Sequence, residues 1–249
     1  MKVFIFGDSH TGSMRTAHKA RKKAGLATAD FEVEVQPLGR GDLFPKPFFA
    51  DRGDHVEITE PGFRPRLDRL PIIGGGHDWY GLSGPFHSSR IWRKDWSAHA
   101  PWPLPGPGAV LSQSVVRQMI EDDLAQVLSF LEVLQRMGKV LVIESPAPFR
   151  HHRSVARSGA DKLMLLHQRH RAYLMDELNR LGIPVIENDP SWLDADGFML
   201  PAFRSVKAGD QHHGSEEYGL LMLDKLQAFV SSEAQAAEAA PRREDALAA

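Results

Sequence analysis

The chain contains no cysteine. That absence excludes disulfide frameworks, thiolate nucleophiles, cysteine-ligated zinc and iron–sulfur clusters, so a nucleophile has to be Ser, Thr, Lys or a carboxylate. An excess of one charge is also missing. The 30 Lys and Arg against 32 Asp and Glu leave a formal net charge of −2, which argues against a general polyanion binder, and no nucleic-acid partner is expected. Long hydrophobic runs are absent too. The opening holds Met1, Val3, Phe4, Ile5 and Phe6 before Gly7-Asp8, far short of a signal-peptide core or of the roughly 20 residues a spanning helix requires. A soluble, cytoplasmic protein without a membrane partner is the expectation. Its 249 residues, 42% of them hydrophobic, suit one α/β domain that supports its own core.

What is present alternates. Val3 to Phe6 reads as a buried strand that turns at Gly7-Asp8-Ser9-His10 into a helix over about 11–24. Phe31 to Gln36 alternates as a second strand, and Leu70 to Ile73 reads as a short third one ending in Gly74-Gly75-Gly76. Val115, Val116, Met119, Ile120, Leu124, Val127, Leu128, Leu131 and Leu134 recur at helical steps over 112–137. Val140 to Ile143 has the continuous apolar pattern of a strand buried on both faces. A helix over 161–181 stopped by Gly182, a strand at Val185-Ile186 and a last helix over about 215–230 complete the order. Such alternation predicts an α/β fold with a mostly parallel sheet covered by helices on both faces. The expected organisation is a single domain over 1–230, with an irregular Trp- and Pro-rich insertion at about 77–110 and a disordered or frayed helical tail over 231–249.

A serine hydroxyl attacks only when a base takes its proton, a third group orients that base and donors await the oxyanion. Ser9 sits at a strand-to-helix turn, where its own N–H can face an oxyanion. Asp210 and His213 lie three residues apart before the last helix, close enough to meet across one turn. If the sheet brings that loop over the end of the first strand, the three form a triad; the adjacent His212 is the rival base.

These residues, in this order, resemble the SGNH (GDSL-like) hydrolases and acyltransferases, over nearly the whole chain except the tail. The carriers are Gly7-Asp8-Ser9 after the first strand, a glycine after the second, the Gly-rich turn after the third, Pro146-Ala147-Pro148 after the fourth, and Asp210-x-x-His213 before a final helix. The resemblance implies a three-layer αβα sandwich with a mostly parallel, flavodoxin-like five-stranded sheet, and it implies Ser9 as nucleophile, His213 as general base and Asp210 as its orienting carboxylate, with no metal and no cofactor. It also implies three oxyanion donors: the Ser9 N–H, a glycine N–H from Gly39 or Gly41, and an asparagine side chain after the third strand. That asparagine is missing, since the chain has only Asn179 and Asn188. His77, in the matching turn, takes its place or the third donor is lost. The implied partner is a small-molecule ester or an acylated glycan.

His10, Trp79, Arg150 and His212 are candidate substrate contacts, Trp79 as one of the tryptophans walling a pocket and Arg150 within the basic run Arg150-His151-His152-Arg153. Two further readings compete. Asp8, His10, Asp42 and His77 loosely echo the ligand set of a metal-dependent phosphoesterase, and the missing asparagine also fits a catalytically inactive binding module of the same fold.

Overall fold

The computed structural model describes residues 1–26, 31–87, 96, 98–106 and 108–239. Its centre is a five-stranded sheet of β1 (Lys2–Asp8), β2 (Glu32–Gly39), β6 (Trp79–Ser83), β9 (Lys139–Ile143) and β10 (Val185–Ile186). The spatial order is β10-β9-β6-β1-β2, and every neighbouring pair is parallel. Renumbered by strand rank this is the 2-1-3-4-5 order of a flavodoxin-like sheet, as the resemblance implies. Its strand order reverses between β1 and β6, where ligands of open α/β sheets bind beyond the carboxyl ends.

The pleat sorts side chains into two cores. Phe4, Phe6, Tyr80, Leu82, Val140 and Val142 face α2 (Gln113–Gln135) and α4 (Ala160–Leu181). Val3, Ile5, Trp79, Leu141 and Ile143 face α1 (Thr11–Lys23) and α5 (Glu216–Ala239). The short α3 (Arg153–Ser158) precedes α4. Ser112 caps α2 by accepting from the Val115 N–H, and Gly182, at φ 66°, closes α4 in the left-handed conformation.

The third central strand is β6, and here the structure corrects the expectation. Leu70 belongs instead to β5 (Arg69–Leu70), the edge of a small antiparallel sheet with β3 (Phe49–Asp51) and β4 (Val56–Ile58). Pro71 lacks the N–H a central strand must donate, whereas Trp79–Ser83 is buried throughout. The triple-glycine turn therefore precedes the third strand. The segment at about 77–110 accordingly contributes its start to the central sheet and carries a second short pair, β7 (His99–Pro101) and β8 (Ala109–Leu111). Trp96 is buried and Trp102 exposed; Trp92 lies outside the described residues.

The last helix also differs from the expected boundary. It continues to Ala239, because Ser231–Ala239 is rich in Ala, Gln and Glu, strong helix formers, although these side chains are mostly exposed. Val230 is its last buried anchor. Residues 240–249 of the expected tail lie outside the described residues. Among the described residues, no helix is long and apolar enough to cross a membrane.

Candidate active site

The turn after β1 is built under tight constraint. Gly7 has φ 152°, and any side chain there would overlap the Ser83 carbonyl of β6. Asp8 follows, 1% exposed, with its carboxyl packed against the backbones of Gly41 and Gly84. Burial raises this acid from 3.8 to about 7, although the hydrogen bond it accepts from the His10 N–H at 2.9 Å works the other way. Asp8 thus fixes the turn while Ser9, the next residue, is exposed at the head of α1.

The loop before α5 arrives over the same strand end. Ser205 N–H donates to the His213 carbonyl, Ser215 N–H to the Phe203 carbonyl, and the Arg153 N–H to the Gln211 side chain, which pins the segment from both sides. Farther along, the Tyr218 hydroxyl donates to the Glu144 carbonyl and the Asn188 side chain, tying α5 to the ends of β9 and β10. Gly219 packs on the Ser13 carbonyl of α1, where a methyl group would overlap it. Arg21 of α1 pairs with Asp224 of α5. The helix that follows Ser9 and the helix that follows His213 are thereby locked side by side.

The result is a continuous hydrogen-bonded series. His213 Nε2 lies 2.8 Å from Ser9 Oγ, and His213 Nδ1 lies 2.9 and 3.0 Å from the two Asp210 carboxyl oxygens. Asp210 also accepts from the His213 and His212 backbone N–H groups at 3.1 and 3.3 Å. Burial alone would raise its carboxyl, but the His213 N–H bond, the His213 charge and the His212 N–H outweigh that and hold it down at about 2. An ionised carboxylate that accepts from Nδ1 leaves the Nε2 lone pair facing the hydroxyl.

The other residues singled out from the sequence divide. His10 and His212 are part of the site: the His213 ring centroid is 4.9 Å from that of His10 and 4.0 Å from that of His212. Gly39 ends β2 opposite Asp8, and Gly41 begins the next turn against the Asp8 carboxyl, so both border the site. His77 does not. It lies at the amino end of β6, its buried ring 5.2 Å from Phe4, and Phe4 is five residues before Ser9 along β1, roughly 16 Å at strand rise. Trp79 lies at that same far end, paired with Val3 of β1 and 5% exposed, against Phe229 and Lys139. Arg150 has its guanidinium held by Asp194 and Asp196 and stacked over Phe198, so its charge is already compensated. The quartet Asp8, His10, Asp42 and His77 is likewise not assembled, because His77 is at the opposite end and Asp42 is turned to Arg40.

One residue at the site escaped the sequence, and a second was read only as part of the basic run Arg150-His151-His152-Arg153. The loop after β6 reads Ser83-Gly84-Pro85-Phe86-His87, and its His87 ring stands 4.1 Å from His10 and 5.9 Å from His212. His152 stands 6.0 Å from His212. Reading Trp79–Ser83 as the third strand would have placed His87 at the site; His152 belongs to the run after Pro146-Ala147-Pro148, expected on this side of the sheet, and it is His152, not Arg150, that reaches the site.

No protein-family model and no curated protein matches the chain. Solved structures do. A protein provisionally designated an acylhydrolase from Bacteroides fragilis is 16% identical, with a TM-score of 0.50 over 93% of this chain and 87% of its own. One provisionally designated a platelet activating factor from Streptococcus pneumonia is 10% identical, with a TM-score of 0.52 over 91% and 82%. A GDSL-like lipase from Bacteroides thetaiotaomicron is 16% identical, with a TM-score of 0.46 over 93% and 88%. The likeness is one of fold: the chain shares the α/β sandwich of the first two of these proteins.

Proposed function

We propose that the chain is a serine-dependent carboxylic-ester hydrolase or O-acyltransferase acting on an acylated carbohydrate or another small ester. The observation that carries this reading is the unbroken series Ser9 Oγ, His213, Asp210, with both links at hydrogen-bond distance. Ser9 Oγ attacks the ester carbonyl carbon as His213 Nε2 takes its proton, and Asp210 steadies the imidazolium through Nδ1–H. The oxyanion faces the Ser9 N–H and a glycine N–H. Gly41 is the better placed of the two glycines, because Gly39 is the last residue of β2 and pairs with Asp8. His87 occupies the loop where the resemblance calls for an asparagine, and an imidazole N–H is a donor of the same kind. Collapse of the tetrahedral intermediate breaks the bond to the alcohol, which leaves with the proton from His213. Water or an acceptor hydroxyl, deprotonated by the same imidazole, then releases the acyl group from Ser9.

Hydrolysis of 4-nitrophenyl acetate and of an acetylated sugar, measured with EDTA present, tests this. Ser9→Ala and His213→Asn should each abolish turnover above the uncatalysed rate. Asp210→Asn should lower kcat by roughly 10²–10⁴, since it removes the group that sets the tautomer. Turnover that survives Ser9→Ala would refute the reading.

A further inference from the structure

Three imidazoles around the serine have a second chemistry open to them. The ligand nitrogens of His10, His212 and His213 all lie within 4.8 Å of one another. Nitrogens bound tetrahedrally to one zinc ion at about 2.1 Å stand roughly 3.4 Å apart, so small ring movements would bring all three onto a single ion. His213 is prepared for that role. With Asp210 on Nδ1, Nε2 is the atom it offers, and a carboxylate on the far nitrogen is the usual outer partner of a metal-bound histidine. The scaffold is rigid where it matters. His10 is 2% exposed at the head of α1, and His212 and His213 are fixed by Asp210 through their backbone N–H groups. The His87 ring centroid stands 4.1 Å from that of His10, next to the three ligands.

From this geometry we infer that His10, His212 and His213 form a binding site for a borderline-soft divalent cation such as Zn²⁺, and that the bound ion switches the serine off. The choice of ion follows from the donors: three neutral imidazoles suit Zn²⁺, Cu²⁺ or Ni²⁺ and offer nothing to Mg²⁺ or Ca²⁺, which demand oxygen. The consequence follows from His213, which cannot give the same lone pair to a metal and to the Ser9 proton. This switch rests on the serine reading; the binding site itself does not.

The test uses the full chain stripped of metal. Zn²⁺ is titrated against a chromophoric chelator, and Co²⁺ is added separately to read its visible spectrum. Wild type and Ser9→Ala should each bind one ion, and Co²⁺ should give the intense bands of a tetrahedral nitrogen site. His10→Asn and His212→Asn should each weaken binding at least tenfold. If the buried His10 substitution impairs folding, the partly exposed His212 still decides the question. Failure of wild type to bind one equivalent, or equal binding by His212→Asn, would overturn the site. Zinc should also block fluorophosphonate labelling of wild type, with EDTA restoring it; labelling unchanged at saturating zinc would overturn the switch. A metal-free protein that takes up no probe would sink the serine reading and the switch with it, while the titration on Ser9→Ala would still judge the site.

Discussion

At the residue scale, position matters more than chemical type. The chain has 12 histidines, and the one that faces Ser9 is distinguished by Asp210 three residues earlier. That spacing is visible in the sequence because it closes within one turn. Asp8 shows the opposite case. Its burial between two backbones is a tertiary fact, and it makes this acid a source of pH dependence. The unfolded carboxyl titrates near 3.8 and the folded one near 7, so the folded state holds its proton over that interval. Stability contributed by the protonated form is complete below about pH 4 and is lost as pH rises to about 7. The difference corresponds to roughly 4 kcal/mol. Asp8→Asn keeps an acceptor for the His10 N–H and does not ionise. Urea unfolding should therefore show the variant gaining on wild type between pH 4 and 7, and a constant difference across that range would contradict the assignment. His87 was not legible for a related reason: its place depends on which segment is the third strand, and Leu70–Ile73 is apolar enough to compete until Pro71 is weighed as a missing donor.

At the element scale, the long amphipathic helices and the fully buried strands β1 and β9 announce themselves by periodicity, and their ends by Ser112 and Gly182. The small sheet of β3, β4 and β5 does not, because strands of two or three residues have no period to read. It is held instead by its antiparallel ladder and by Phe49 of β3, whose ring packs on Phe48 and on Phe130 of α2. The proposed triad depends on how α1 meets α5, the helices that follow Ser9 and His213. Gly219→Ala should force these helices apart at the Ser13 carbonyl and destabilise the fold by about 1–3 kcal/mol, measured by urea unfolding. Hydrolysis should fall further than stability explains, because Ser9 and His213 ride on those two helices. A second element-scale effect comes from α4, where burial holds His167 at about 3 and His170 at about 4. Both must stay neutral in the folded chain, so they cost stability as pH falls below 6.5. Replacing His170 with Phe should reduce the loss of thermal stability between pH 6.5 and 4, and an unchanged acid slope would count against this.

At the scale of the whole molecule, one sheet carries two cores, and the reversal of strand order between β1 and β6 sets the place of the site. The parallel sheet with helices on both faces was readable from the helix–strand alternation, whereas its strand order followed only from the resemblance, since right-handed crossovers fit more than one order. The extent of the last helix was not readable, since Ala- and Glu-rich segments read equally as helix or as unstructured chain. Among the described residues Val230 is the last buried side chain, so deletion of residues 232–249 should change unfolding free energy by less than about 1 kcal/mol and leave hydrolysis intact; a larger loss would mean that the deleted segment docks. The central claim is narrower, that Ser9 is a nucleophile made reactive by His213 and Asp210. It is tested most directly by fluorophosphonate labelling with EDTA present, read by intact mass and peptide mapping. One adduct on Ser9 in wild type, absent in Ser9→Ala and strongly slowed in His213→Asn, is the predicted result. Equal labelling of wild type and Ser9→Ala, or an adduct mapped to another residue, would contradict it.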